Sequence, residues 1–490
     1  MKKENKFYIT TAIDYPSGAP HIGHAYEKIL ADVIARWQRL KGREVVFCTG
    51  TDEHGQKIEK YAKNANKTPQ DFVNEKTSEF LNLCKVLNIS NDDFIRTTEQ
   101  RHIKVALALL EKAKQKGDIY KDKYEGFYCV DCEAFYVERD LNNGNCPVHG
   151  NKVDWIEEVG YFFKMSKYAQ AVLGHIEKNE NFIFPKTRRN EIMNRLKAGV
   201  RDLSVSRTNF TWGIPWPGDE SHVIFVWFDA LINYISALGY PDSERFEKFW
   251  PADVHMIGKD ILWFHTMVWL SILMSADIEL PKSVLVHGFI NLGGEKISKS
   301  SGTTVDPVKL VEKYSADSLR YFLLREFSFT EDGNFSEEAL IRRINSDLAN
   351  DLGNLVYRSL TMVEKYLQGN LPQSYGNSVG AELLAMAEVL SVEVDKQMSE
   401  YNFSQSLVKI WEIIGAANKF IEDTKPWVLF KEKKEDQLKD FIFVLAQVIK
   451  NIRINLFPFM PKTSEAIKAQ WGQDRVNKGK PLFPRIEDAD

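Results

Sequence analysis

Between Phe7 and Cys48 the spacing of the apolar residues changes twice. Phe7-Tyr8-Ile9-Thr10-Thr11-Ala12-Ile13 is a β-branched and aromatic run, and Tyr15-Pro16-Ser17-Gly18-Ala19-Pro20 breaks it. Ile22, Tyr26, Ile29, Val33, Trp37 and Leu40 then recur at helical spacing, with Gly42 beyond them as a stop. Glu44-Val45-Val46-Phe47-Cys48 returns to the strand pattern. Strand, helix and strand at this spacing make a βαβ unit. Such a unit commits the chain to a parallel sheet and puts a ligand site beyond the carboxyl ends of its strands.

Helical pattern dominates residues 56–117, and from about 118 to 215 short strands, turns and metal-type residues replace it. Strand–helix alternation resumes with a strand at Val223–Trp227, a helix to about 238, and strands at Val254–Gly258 and Ser283–His287. The simplest organisation is a Rossmann-like sheet in two halves, 1–117 and 218–335, interrupted by an inserted domain at 118–217. Beyond it, 341–368, 380–400, 403–423 and 436–457 carry apolar residues at spacings of three and four, so 336–490 reads as an all-α bundle. The expected fold class is α/β, with an inserted metal domain and a C-terminal helical domain.

A chain of 490 residues, 44% hydrophobic and 12% aromatic, has material for several cores. No apolar run is long enough for a transmembrane helix, so no membrane partner is expected. Met1–Lys6 is basic but leads into a strand without a leucine-rich stretch or cleavage site, which argues against a secretory signal and for a cytoplasmic protein. A net charge of −4 leaves nucleic-acid binding to local patches. Lys186, Arg188, Arg189, Arg195, Lys197, Arg201 and Arg207 offer one, although a solvated helix face explains them equally well. Of five cysteines, Cys48 and Cys84 read as core residues. Cys129-x-x-Cys132, followed after 13 residues by Cys146-x-x-His149, spells a zinc site. Four protein ligands leave no open position, so one structural Zn2+ is expected.

Two short motifs carry chemistry. His21 and His24 lie on one face of the first turn of the first helix, where unpaired N–H groups and the helix dipole favour anions. Gly23 between them lets a flat base or ribose approach the backbone. Far along the chain, Gly293-Gly294-Glu295-Lys296-Ile297-Ser298-Lys299-Ser300-Ser301-Gly302 sets two ammonium groups between glycines, suited to close over a triphosphate. Alone, a His-x-x-His is more often a pair of surface histidines, and a lysine loop more often solvated surface.

Together, in this order, the motifs resemble the split signature of class I aminoacyl-tRNA synthetases. Gly50-Thr51-Asp52-Glu53-His54-Gly55, Val226–Tyr234, Ile257–His265, Arg207-Thr208-Asn209-Phe210 and Asp347–Asn354 narrow the resemblance to the methionyl-tRNA synthetase family, over residues 7 to about 460. Ile297 stands where that family most often has Met, a volume-conserving change. The resemblance implies ATP-dependent activation of L-methionine, with Mg2+, and transfer to the 3′ end of initiator and elongator tRNA(Met). It implies that His21, His24, Lys296 and Lys299 are catalytic, and that ATP meets these four with Gly23, Glu27, Gly258, Asp260 and His287. It implies a methionine pocket of Ala12, Ile13, Tyr15, Asp52, Trp227, Ala230, Leu231, Tyr234, Ile261 and His265. Asp52 would pair with the substrate ammonium, and aromatic edges suit a polarisable thioether. The zinc domain would guide the tRNA acceptor end, and the bundle would read the CAU anticodon through Asn350, Asn354, Arg358 and Trp427. The dimer-forming RNA-binding appendage of some relatives does not follow Asp490, so a monomer is expected.

Three other readings compete. The isoleucine, valine and leucine enzymes carry a much larger insert, and the cysteine enzyme needs a cysteine that Ala12–Tyr15 does not offer. A catalytically dead RNA-binding paralogue is opposed by intact His21, His24, Lys296, Lys299 and Asp52. A non-tRNA adenylyltransferase is opposed by the helical C-terminal segment.

Overall fold

The computed structural model describes residues 5–129, 134–136, 138–147, 150–292, 295–296 and 305–487. It divides into two compact units, Met1–Lys85 with Ile89–His287, and Val86–Asn88 with Gly288–Asp490.

The first unit begins with β1 (Lys6–Thr11), α1 (Ile22–Leu40) and β2 (Glu44–Thr51), the βαβ unit of the sequence. Helices α2 (Gln56–Asn64) and α3 (Pro69–Val86) follow, then β3 (Asp93–Arg96) and α4 (Gln100–Gln115). A long antiparallel pair comes next, β4 (Ile119–Cys129) with β6 (Asp154–Phe163), flanked by β5 (Ala134–Tyr136). Then come α5 (Ala169–Lys178), β7 (Ile183–Phe184), α6 (Lys186–Lys197), β8 (Leu203–Ser204), β9 (Ser206–Arg207) and β10 (Val223–Ile224). Short helices α7 (Val226–Ala230), α8 (Asn233–Ser236) and α9 (Glu244–Phe249) precede β11 (Val254–Gly258), α10 (Trp269–Ser275) and β12 (Val284–His287).

The central sheet runs β3-β2-β1-β11-β12-β7, with every pairing parallel. From β1 the chain moves outward through β2 to β3, then returns on the other side of β1 as β11. The order therefore reverses between β1 and β11, where a crevice opens at the strand carboxyl ends. All six residues of β1 are buried, as a central strand covered on both faces requires. Gly50 is needed for the β2–β3 pairing: a Cβ there would stand 2.0 Å from the Ile95 carbonyl oxygen.

Four features differ from the sequence reading. The helical stretch 56–117 contains β3, too short to break the pattern. Val223–Trp227 is not a strand of the parallel sheet: Val223–Ile224 pairs antiparallel with β9, and Val226 already opens α7. A short buried apolar run has no periodicity to separate strand from helix. The segment 118–217 holds two helices and sends β7 back to pair with β12 at the edge of the parallel sheet. The basic stretch is not a continuous cationic face. Arg207 is buried, its guanidinium 4.1 Å over the Phe225 ring, and Arg195 lies 3.8 Å over Trp263. Cys48 and Cys84 are core residues, and burial pushes the Cys84 thiol up to about 11.

The second unit opens with a small sheet, ordered β14-β13-β15, of β13 (Ile290–Leu292), β14 (Glu295–Lys296) and β15 (Gly333–Phe335). Between β14 and β15 lie α11 (Pro307–Tyr314) and α12 (Ala316–Glu326). One long helical path follows: α13 (Glu337–Arg343), a π-helical stretch (Ile344–Gly353) and α14 (Asn354–Leu367). The bundle is completed by α15 (Ala381–Ser399), α16 (Phe403–Thr424), α17 (Pro426–Lys431), α18 (Glu435–Leu456) and α19 (Pro461–Gln470). Among the described residues no helix is long and apolar enough to cross a membrane.

Candidate active site

The loop leaving β1 delivers the chain to the head of α1, where His21 is the N-cap. Its Nδ1 accepts the backbone N–H of Gly23 at 3.1 Å, and His24 Nδ1 accepts the backbone N–H of His21 at 3.0 Å. This is a reciprocal capping box built from two imidazoles. A backbone N–H can only donate, so both Nδ1 atoms are unprotonated and each ring carries its proton on Nε2. The rings stack, with centroids 3.8 Å apart. Gly23 makes room for this: a Cβ would meet His21 Cε1 at 3.0 Å and Nδ1 at 3.1 Å. One turn on, Glu27 bonds His287 Nε2 at 3.0 Å, tying α1 to the end of β12.

Beyond the ends of β1 and β2 the pairing continues one step. The Asp14 N–H donates to Gly50 O and the Asp52 N–H to Asp14 O, both at 2.8 Å. Ala12, Ile13, Tyr15 and Asp52 are thereby carried on the rim of the sheet. Beneath it the wholly buried Lys28 ammonium donates to the Asp14 carboxylate and to Thr49 Oγ1 at 3.2 Å. Burial is the strongest single effect and opposes the charge on Lys28, but the Asp14 carboxylate, together with nearby Cys84 and Glu27, outweighs it and the pKa ends above the ordinary lysine value. Glu53, also fully buried, accepts from Thr51, Thr77 and Thr98 and from both ends of the Arg96 fork, at 2.7 and 3.0 Å. The turn bearing Asp52 is fixed from both sides.

The opposite wall comes from α7, α8 and the segment after β11. Tyr234 donates its hydroxyl to His265 Nε2 at 2.6 Å, and His265 Nδ1–H donates to the Ile261 carbonyl at 2.9 Å. Burial holds the His265 imidazole down to about 4, so it is neutral and in a single tautomer. The Tyr8 hydroxyl braces the Tyr234 carbonyl at 2.8 Å. Trp227 stacks on Phe264, centroids 3.8 Å apart and 4° from parallel. Ala230 is buried, Leu231 and Tyr234 lie in one buried core, and Trp227, Ile13 and Ile261 pack against that core. Gly258 is buried at the end of β11, and Asp260 is exposed in the 3-10 turn that follows.

The residues expected to meet methionine thus come from the same rim and the core beneath it, with His21, Gly23, His24, Glu27 and His287 on the adjacent helix head and strand end. Phe264 and the buried groups Asp14, Lys28, His54, His102 and Asp229 were not singled out from the sequence. His54 and Asp229 stand inside strings already picked out for their motifs, whereas His102 sits in an ordinary amphipathic helix and gives no signal.

Other expected residues fall elsewhere. Lys296 lies in β14, but its side chain and all of Lys299 lie outside the described residues. So do Cys132 and His149, while Cys129 and Cys146 are buried in one small cluster with Val153. In the helical unit Asn350 and Asn354 are exposed, with the Asn350 amide oxygen taking a bond from Arg485. Arg358 bonds Glu422 at 2.7 Å. Trp427 is 44% exposed, next to Pro426, after α16 is stopped by Lys425 in the left-handed region.

The family model for class I tRNA synthetases (M) matches residues 7–154 and 137–360, and the model for the anticodon-binding domain of tRNA ligase matches 381–484. The methionine–tRNA ligase of Caldanaerobacter subterraneus subsp. tengcongensis is 47% identical over 99% of this chain and 80% of its own length. That of Clostridium tetani is 46% identical over 98% and 78%, and that of Bacillus subtilis 44% over 99% and 79%. A solved structure of Mycobacterium tuberculosis methionyl-tRNA synthetase in complex with methionyl-adenylate superposes with a TM-score of 0.93 at 42% identity, covering 98% of this chain and 100% of that one. With its parallel-sheet site and helical bundle, the chain belongs to the class I methionyl-tRNA synthetases, the methionine–tRNA ligases.

Proposed function

We propose that the chain couples L-methionine to tRNA(Met) in two steps at the carboxyl rim of the parallel sheet. In the first, a methionine carboxylate oxygen attacks the α-phosphorus of ATP–Mg2+, giving methionyl-adenylate and pyrophosphate. In the second, a hydroxyl of the terminal tRNA ribose attacks the activated carbonyl, and AMP leaves. The protein contributes position and charge, as phosphoryl-type transfer requires.

The observation that carries this reading is the reciprocal cap of His21 and His24. With both Nδ1 atoms occupied, both Nε2–H groups are set to donate to phosphate oxygens at a helix N-terminus that already favours anions. Gly23, Glu27, Gly258, Asp260 and His287 would receive the rest of ATP, and Lys296 and Lys299 would neutralise the departing pyrophosphate. Asp52 would hold the ammonium of methionine. Ala12, Ile13, Tyr15, Trp227, Ala230, Leu231, Tyr234, Ile261 and His265 would enclose the thioether, and a neutral His265 suits an uncharged sulfur.

Cys129, Cys132, Cys146 and His149 would hold one structural Zn2+. Cys129 and Cys146 are each 1% exposed and, among the described residues, share a small buried cluster with Val153, against which Phe127, Tyr136 and Leu141 pack; so small a core gains from a cross-link. Such a metal supplies a four-way tie. Residues 1–117 and 218–335 would form the catalytic domain, 118–217 would guide the acceptor end, and 336–490 would read CAU through Asn350, Asn354, Arg358 and Trp427. The protein would act as a cytoplasmic monomer on initiator and elongator tRNA.

ATP–pyrophosphate exchange, run with each of the twenty amino acids, tests this. Exchange should require methionine. Exchange with no amino acid, or faster exchange with another, would overturn the proposal.

A further inference from the structure

Outside the ring of groups assigned to substrates lies a buried carboxylate that the two-step reaction does not use. Asp229 is 0% exposed in α7, two residues after Trp227 and immediately before Ala230. Its Oδ2 lies 2.7 Å from His54 Nδ1 and its Oδ1 2.7 Å from His102 Nε2. Both imidazoles are buried, and His102 Nδ1 reaches Ser236 Oγ at 2.9 Å. An ionised carboxylate only accepts, so both rings donate to it. The imidazoles beside it hold its pKa to about 2 against the opposing effect of burial.

Four elements meet in this network. His54 closes the turn that carries Asp52, and His102 stands on α4. Asp229 and Ser236 stand on α7 and α8, the segment that carries Trp227, Ala230, Leu231 and Tyr234. A buried ionic cluster adds little to stability over a well-packed apolar one, but its hydrogen bonds restrict it to few geometries. We infer that Asp229, with His54 and His102, is a positioning network that sets the span between the ammonium site at Asp52 and the side-chain slot, and so selects the length of the amino-acid side chain. The inference rests on the methionine pocket assigned above. A linear side chain offers few polar handles, so its length must be read by the distance between the two ends of the site.

The test is exchange kinetics of Asp229→Asn, His54→Ala and His102→Ala with methionine and with its one-carbon-longer thioether homologue ethionine. In each, KM for methionine should rise about tenfold, KM for ATP should hold within about threefold, and preference for methionine over ethionine should fall. His54→Asn and His102→Gln return an amide N–H near the donor position, and should restore methionine KM to within about threefold of the starting enzyme. If Asp229→Asn does not fold, the imidazole variants carry the test. Equal rises in both KM values, or a loss of titratable active sites with unchanged KM values, would overturn the inference and reduce the network to scaffolding. Absence of methionine-dependent exchange in the unsubstituted protein would instead sink the functional reading on which it rests.

Discussion

Substituting Gly23→Ala should separate stability from catalysis. Gly23 lies inside the first turn of α1, where alanine is ordinarily favoured by about 0.5–1 kcal/mol. The added methyl carbon would stand 3.0 Å from His21 Cε1 and 3.1 Å from Nδ1, closer than normal contact, so the imidazole must give by a few tenths of an ångström. That strains its bond from the Gly23 N–H and its stack on His24, and so weakens an N-cap worth about 1 kcal/mol in full. Gain and loss nearly cancel, so the melting temperature should stay within about 2 °C. Catalysis should not be spared. If His21 Nε2–H donates to a phosphate as proposed, the shift spoils its aim, and losing one such preorganised donor costs about 10²–10³ in rate. Methionine-dependent pyrophosphate exchange, with thermal unfolding followed on the same preparation, measures both. A Gly23→Ala enzyme exchanging within about threefold of the original rate would refute the claim that the cap aims the imidazole.

Tyr234→Phe leaves His265 Nε2 buried without a donor, and should cost about 1–3 kcal/mol in urea unfolding while raising KM for methionine. His265 is neutral when folded, with a pKa of about 4 against an ordinary 6.5. Its contribution is present above pH 6.5 and is lost as pH falls through 4, about 3 kcal/mol in all; comparing urea midpoints of the original and His265→Asn proteins from pH 7 to 4 should show the gap closing toward acid. Trp427→Ala should weaken tRNA binding by about 1–3 kcal/mol, measured by filter binding, while leaving pyrophosphate exchange unchanged. Cys146→Ser should lower bound zinc from one equivalent toward none by elemental analysis of the purified protein, independent of activity.

The opening βαβ unit was legible because each of its segments has an uninterrupted period and a strong breaker. The helices of the bundle were legible for the same reason, and α15, α16 and α18 begin and end within a residue of their expected bounds. Val226–Ala230 was not, since a largely buried helix of five residues presents the same apolar run as a strand. β7 was hidden because two residues carry no pattern, and only pairing with β12 makes them a strand.

His21, His24 and Asp52 could be picked out because their motifs are local: the cap bonds residues two and three apart, and its geometry follows from the helix start. By contrast, the partners that set protonation and position lie far off in sequence, as Tyr234 is from His265 and His102 from Asp229. The order of residues therefore determined the parallel sheet, the helix head and the residue types able to do the chemistry, since those depend on neighbours along the chain. Which imidazole is neutral, which tautomer it holds, and how the rim bearing Asp52 is spaced from the apolar wall were decided only by the packed fold. Desolvation and hydrogen-bond partners are properties of what surrounds a group in space.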